Sequence, residues 1–167
     1  LCLSEHDYYP DLRDQIDGET FILLPGVEAS VNLLDETGSY VKKTHHIHGI
    51  LGNEAMRKAA GEKLLKHGER LIPPRFYGEW DGLKAAQDMI DTLNARGCFT
   101  TYNHPAWSRV EMDEVADLKH VWAVEVYNYG TVVECGEGYD SVFWEAMLRK
   151  GTRVGGFASD DNHNPPK

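Results

Sequence analysis

The residues of this chain that could do chemistry are acids and histidines gathered at the ends of apolar runs. The stretch ASDDNHN, Ala158 to Asn164, sets Asp160, Asp161 and His163 within four positions, directly after the strand-like run Arg153 to Phe157. Carboxylate beside imidazole supplies the oxygen and nitrogen ligands of a hard or borderline divalent metal. The pattern repeats: His6 comes after the run LCLS, Glu28 after FILLPGV, His104 after CFTTYN, and Asn128 closes VWAVEVYN. Parallel α/β architectures, barrels above all, collect functional groups at the carboxyl ends of their strands, where the loops converge. An acid such as Glu28, behind an apolar run, is costly to bury unless it is paired or coordinates a cation. By contrast His67 and His120 lie in polar helical or loop surroundings and read as ordinary structural residues.

In HHIHG, His45 to Gly49, strand alternation puts His46 and His48 on one side and His45 on the other, so both His46 and His48 stay open as ligands. Tyr8, Tyr9, Trp80 and Trp107 could line a pocket or fill a core.

Alternating apolar runs and amphipathic segments must position these groups, which predicts an α/β fold. Leu83, Ala86, Met89, Ile90 and Leu93 form one face of a helix over Leu83–Arg96, capped by Asp81 and stopped by Gly97, and the strand CFTTY follows. A second helix, Ser141–Lys150, starts at Asp140 or Ser141, ends at Gly151 and leads into the strand TRVGGFAS. A more polar helix is expected between Asn53 and Arg70. Val27–Leu51 reads as two strands joined by the turn Asp35–Ser39, and Val121–Asn128 as a further strand. The segment Pro73–Asp81 is expected as a loop over the site.

The 167 residues fit one domain with a real core. With 17 Lys and Arg against 27 Asp and Glu, the net charge of -10 repels nucleic-acid phosphates, so no extended nucleic-acid partner is expected. Cys2, Cys98 and Cys135 are odd in number and lack metal-type spacing, which fits a reducing, cytoplasmic setting, with Cys2 and Cys98 packed in apolar runs. No apolar run approaches the roughly 20 residues that span a bilayer, so no membrane partner is expected.

The motifs SEHD (Ser4–Asp7), PGVEAS (Pro25–Ser30), HHIHG, YNHPAW (Tyr102–Trp107) and ASDDNH (Ala158–His163) stand in the order and approximate spacing of the PHP family, the polymerase and histidinol phosphatase domain. The chain resembles that family over almost its whole length. The resemblance implies a distorted (β/α)7, TIM-like barrel with two or three divalent metal ions, Zn, Mn or Fe, at its C-terminal face. It also implies hydrolysis of phosphate esters. Carried over by position, it makes His6, Glu28, His46, His104, Asp161 and His163 metal ligands, with Asp160 and Asn128 beside them as orienting groups. Family members open with an Asp-x-His-x-His strand that this sequence lacks, so the barrel is expected to be incomplete at its N-terminus and the chain to be a piece of a longer protein.

On this reading the substrate is a small phosphate monoester attacked by metal-activated water. Glu28 bridges the ions, His163 or His48 serves as proton donor, His48 also lies among the substrate contacts, and Arg109 grips the phosphate. A second reading is a non-catalytic metal-binding or regulatory module. A third, a polymerase-associated exonuclease, conflicts with the acidity and the lack of a basic, aromatic strip.

Overall fold

Nine strands join into one sheet in the computed structural model, which describes residues 1–163; Asn164, the end of the ASDDNHN stretch, lies outside the described residues. The elements follow as β1 (Cys2–His6), β2 (Tyr8–Tyr9), β3 (Leu24–Leu34), β4 (Val41–Leu51), α1 (Glu54–Ala60), β5 (Glu69–Arg70), β6 (Arg75–Tyr77), α2 (Gly82–Ala95), β7 (Cys98–Asn103), β8 (Ala123–Asn128), α3 (Tyr129–Cys135), α4 (Ser141–Arg149) and β9 (Gly155–Ser159). The sheet order is β5-β2-β1-β3-β4-β7-β8-β9, with β6 added alongside β3. Strands β1, β3, β7, β8 and β9 point one way, and β4 runs against both its neighbours.

The α/β class is as expected, but the sheet is open, and a closed barrel is not formed. Among the described residues β9 pairs with β8 alone, and the outer edge of β1 is taken by β2, which itself pairs with β5. With its hydrogen-bonding edge engaged by a local hairpin, β1 does not meet β9 as a ladder.

The β3–β4 hairpin is the centre of the fold. Asp35 shapes its turn by accepting from the backbone N–H groups of Ser39 (2.8 Å) and Tyr40 (3.0 Å), as turn acids do. Glu28 does not end its strand, because β3 runs on to Leu34 with β4 and β6 as partners. It instead stands level with His6, the last residue of β1. Alternation then divides the hairpin into two faces. Val27, Ala29, Val31 and Ile47 are fully buried on one face, where α2 covers them with Ala86, Ile90 and Leu93. Burying each large aliphatic side chain here stabilises the fold by roughly 1.5–3 kcal/mol. The other face carries Glu28, His46 and His48.

The helices largely follow the sequence. Asp81 caps α2 by accepting from the Lys84 backbone N–H at 3.0 Å, and Asn53 caps α1 in the same way from Met56 at 3.0 Å. α1 is shorter than the expected Asn53–Arg70 helix: Gly61 turns the chain at φ 54°, a conformation that carries no Cβ penalty only in glycine. Asp140 occupies the position before α4, yet its carboxylate accepts from the Ala106 backbone N–H at 2.8 Å and makes no cap bond. Pro73–Asp81 is no loop over the site: β6 pairs with Asn32–Leu34, and Trp80 stacks on His45 with ring centroids 5.1 Å apart. Burial pushes the Cys98 thiol up to about 12 and Cys2 to about 11, as packing residues require. No helix among the described residues is long and apolar enough to cross a membrane.

Candidate metal centre

The end of β1 is locked onto β3 by Asp7, whose backbone N–H donates to the Glu28 carbonyl (2.9 Å) while its Oδ1 accepts from the Ser30 N–H (2.8 Å). This register sets His6 directly beside Glu28. In turn β4 sets His48 opposite Glu28 and His46 opposite Ser30, and β7 sets Asn103 opposite His46. Four strands therefore aim imidazole, carboxylate and amide groups at one point.

Glu28 is that point. Its carboxylate is buried, with Oε2 lying 3.0 Å from His6 Nδ1. Oε1 lies 3.3 Å from His104 Nε2, 3.4 Å from His46 Nδ1 and 3.9 Å from His48 Nε2. Asn103 Nδ2 donates to the same Oε1 at 2.8 Å. One ligand atom from each of His6, Glu28 and His46 falls within 4.8 Å of the others. His6 Nε2, on the far side of its ring, lies 3.1 Å from His163 Nε2. His163 Nδ1 in turn sits 2.9 Å from the Asp161 carbonyl and 3.7 Å from Asp161 Oδ1. Two imidazole nitrogens this close either share a proton or share a cation.

The electrostatics follow from burial set against proximity. Burial pushes the Glu28 carboxyl up, but contact with His104, His46 and His6 overrides it and holds the group well below the usual carboxylate range. Burial alone would lower His104, yet its hydrogen bond to Glu28 leaves it raised, and the same partner raises the more exposed His6. His48, desolvated and farther from the carboxylate, is lowered. Its nitrogens are also already engaged, by the Ser4 hydroxyl at 3.1 Å and the Thr101 hydroxyl at 3.4 Å.

His46 is different. Its Nδ1 is buried with no hydrogen bond of acceptable geometry, although it faces a carboxylate. A buried polar atom without a partner costs about 1–3 kcal/mol. A divalent cation between imidazole and carboxylate would give that nitrogen a partner, and the mixed His and carboxylate donors suit Zn, Mn or Fe better than Ca. The residues present thus fit a metal.

The structure therefore brings His6, Glu28, His46 and His104 around one carboxylate and joins Asp161 and His163 to them through His6. Asn128 Nδ2 donates to Asp161 Oδ2 at 3.1 Å. Asp160 is exposed, and no hydrogen bond joins it to an imidazole among the described residues. His104 is oriented instead by Ser108, whose hydroxyl lies 3.3 Å from His104 Nδ1. The Arg109 guanidinium bonds to the Tyr40 hydroxyl and, at 2.8 Å, to the Val41 carbonyl, so it staples the His104 loop to the far end of the hairpin. Trp107 walls the site, its ring 5.0 Å from that of His104 and 5.5 Å from that of His46.

Asn103 is a contact the sequence did not reveal. It precedes the histidine of YNHPAW, and only strand register shows that its amide reaches Glu28. His104 and Asp161 have φ of 25° and 44°, left-handed values uncommon outside glycine. Such strain collects where surrounding structure fixes a functional side chain. Comparison with protein families, curated proteins and solved structures finds no match to this chain.

Proposed function

We propose that this chain is a metal-dependent phosphoesterase that hydrolyses a small phosphate monoester, with two or three divalent ions, Zn, Mn or Fe, as cofactors. The observation that carries the reading is Glu28: a buried carboxylate within 4 Å of four imidazoles, one of which has a buried nitrogen without a partner. The ordered motifs shared with the PHP family support it, and phosphate-ester hydrolysis is the activity that resemblance implies. His6, Glu28, His46, His104, Asp161 and His163 would hold the ions, which would supply positive charge to phosphoryl oxygens and acidify water toward neutrality.

The protein's own groups then divide the work. Glu28 offers both oxygens in different directions, which suits a bridge between two sites. Trp107 excludes water from the His46 and His104 side. His163, exposed at the rim, has its Nδ1 against the Asp161 carbonyl, so its Nε2 would serve either as a ligand to an ion or, unligated, as the proton donor to a leaving oxygen, but not as both. Elemental analysis together with a panel of phosphomonoesters tests the proposal: bound metal and turnover are expected, and metal-loaded protein inert on every ester would discard the catalytic part.

One observation favours a non-catalytic metal-binding module instead. Among the described residues no Lys or Arg forms an ion pair with a member of the cluster. Metal bound tightly without turnover would establish that second reading.

A further inference from the structure

Glu125, on β8, is almost fully buried and touches neither Glu28 nor any imidazole ring among its hydrogen-bond partners. Both its oxygens are nevertheless committed. Oε2 accepts from the His104 backbone N–H at 2.9 Å and from Asn128 Nδ2 at 3.0 Å, and Oε1 accepts from the Ser159 hydroxyl. One carboxylate thus ties the residue just after β7, the last residue of β8 and the last residue of β9. The Asn128 amide that it holds also reaches Asp161 Oδ2 at 3.1 Å.

Local backbone features serve the same arrangement. The β8–β9 register shifts between Glu125 and Tyr127, and a bulge of this kind re-aims side chains, here allowing Glu125 and Asn128 to converge. At Gly130 a Cβ would lie 2.9 Å from the Asp161 carbonyl oxygen, so glycine lets the loop after β9 settle against the start of α3. Removing this carboxylate alone would leave the His104 N–H, the Asn128 amide and the Ser159 hydroxyl without their acceptor, so it is what holds these three strand ends together. Its partners here are the supports of two separate ligand candidates.

We propose that Glu125 is a positioning residue of the metal centre, holding His104 and Asp161, which come from different strands, in one fixed frame. This rests on the metal-centre reading given above. Outer groups that orient ligands typically change metal affinity 10–100-fold when removed.

The test measures the Zn dissociation constant and stoichiometry by calorimetry on the full chain, alongside thermal unfolding. Glu125→Leu should weaken Zn binding about 10–100-fold. Glu125→Gln should stay close to wild type, because the amide oxygen can accept from His104 and Asn128 while the amide N–H donates to Ser159. Thr100→Val is the control: Thr100 is fully buried on the α2 side of β7, and its loss should lower the unfolding temperature without changing Zn affinity. Should Glu125→Leu not fold, Ser159→Ala removes one donor to Glu125 without touching a ligand, and a several-fold weaker Zn affinity is expected. Unchanged affinity in Glu125→Leu, or in Ser159→Ala if that variant must decide, overturns the positioning role. So does equal weakening by Thr100→Val. A wild-type protein that binds no Zn, Mn or Fe overturns the metal-centre reading itself.

Discussion

The two faces of the β3–β4 hairpin are built from alternating residues of the same strands, yet they do opposite things. On the α2 side His45 is fully buried, stacked on Trp80 and bonded to the Tyr102 hydroxyl, and burial lowers its pKa to about 4. On the other side its neighbour His46 faces Glu28 with a nitrogen that no protein group satisfies. The covered face packs His45 between the Trp80 and Tyr102 rings and contributes stability, with its Nε2 unpartnered among aromatic neighbours. The other sets its unpartnered nitrogen against a carboxylate, a pair that a cation can complete. A histidine's role here is set by strand parity and by what stands opposite, not by residue type.

That contrast can be broken from either side by measuring stability and metal affinity in the same variants. The largest effect on stability is expected from Ile47→Ala, which opens a cavity under α2 between His46 and His48: a loss of about 2–5 kcal/mol in chemical denaturation, with Zn affinity of the folded protein unchanged. If metal binding fell in parallel, the two faces would not be independent. Glu28→Gln keeps the shape and removes the charge. Zn affinity should fall by about a hundredfold or more, roughly 2.7 kcal/mol or above, as read by competition with a chelating dye.

The next comparison separates the two inward histidines. His46→Ala should weaken Zn binding by about a hundredfold, whereas His48→Ala, whose nitrogens already meet Ser4 and Thr101, should cost less than about tenfold. Equal losses would put His48 among the ligands. Smallest of all, Arg109→Ala should leave Zn affinity untouched and reduce stability by about 1 kcal/mol, since it removes a staple to Tyr40 and Val41. A raised KM for a phosphomonoester with unchanged stability would instead return Arg109 to the substrate.

Much of this arrangement was legible beforehand for definite reasons. The helix under the hairpin announced itself through Ala86, Met89, Ile90 and Leu93 at helical spacing, with Asp81 at its cap. The turn was written in Asp35 and Gly38, and the parity of His45 against His46 follows from the pleat alone. The short strands β2, β5 and β6, of two or three residues each, carry no period to detect. Of these, β2 and β5 nevertheless occupy the outer edge of β1, and the sheet stays open.

By itself the sequence determined which face of each element is apolar, because local propensity and periodicity act over a few neighbours; it put Glu28 at a strand end, whereas β3 runs on to Leu34. It also marked His6, Glu28, His46 and His104 as ligand candidates. Only the tertiary structure decided register: that His6 lies level with Glu28, that Asn103 reaches the same carboxylate, that His46 and not His48 is left unsatisfied, and that Glu125 gathers three strand ends. Strand pairing joins residues up to 62 positions apart, as Tyr8 and Arg70 show, and through β4 it brings the Asn103 side chain to Glu28, so the hydrogen bonds that fix it depend on both partners at once.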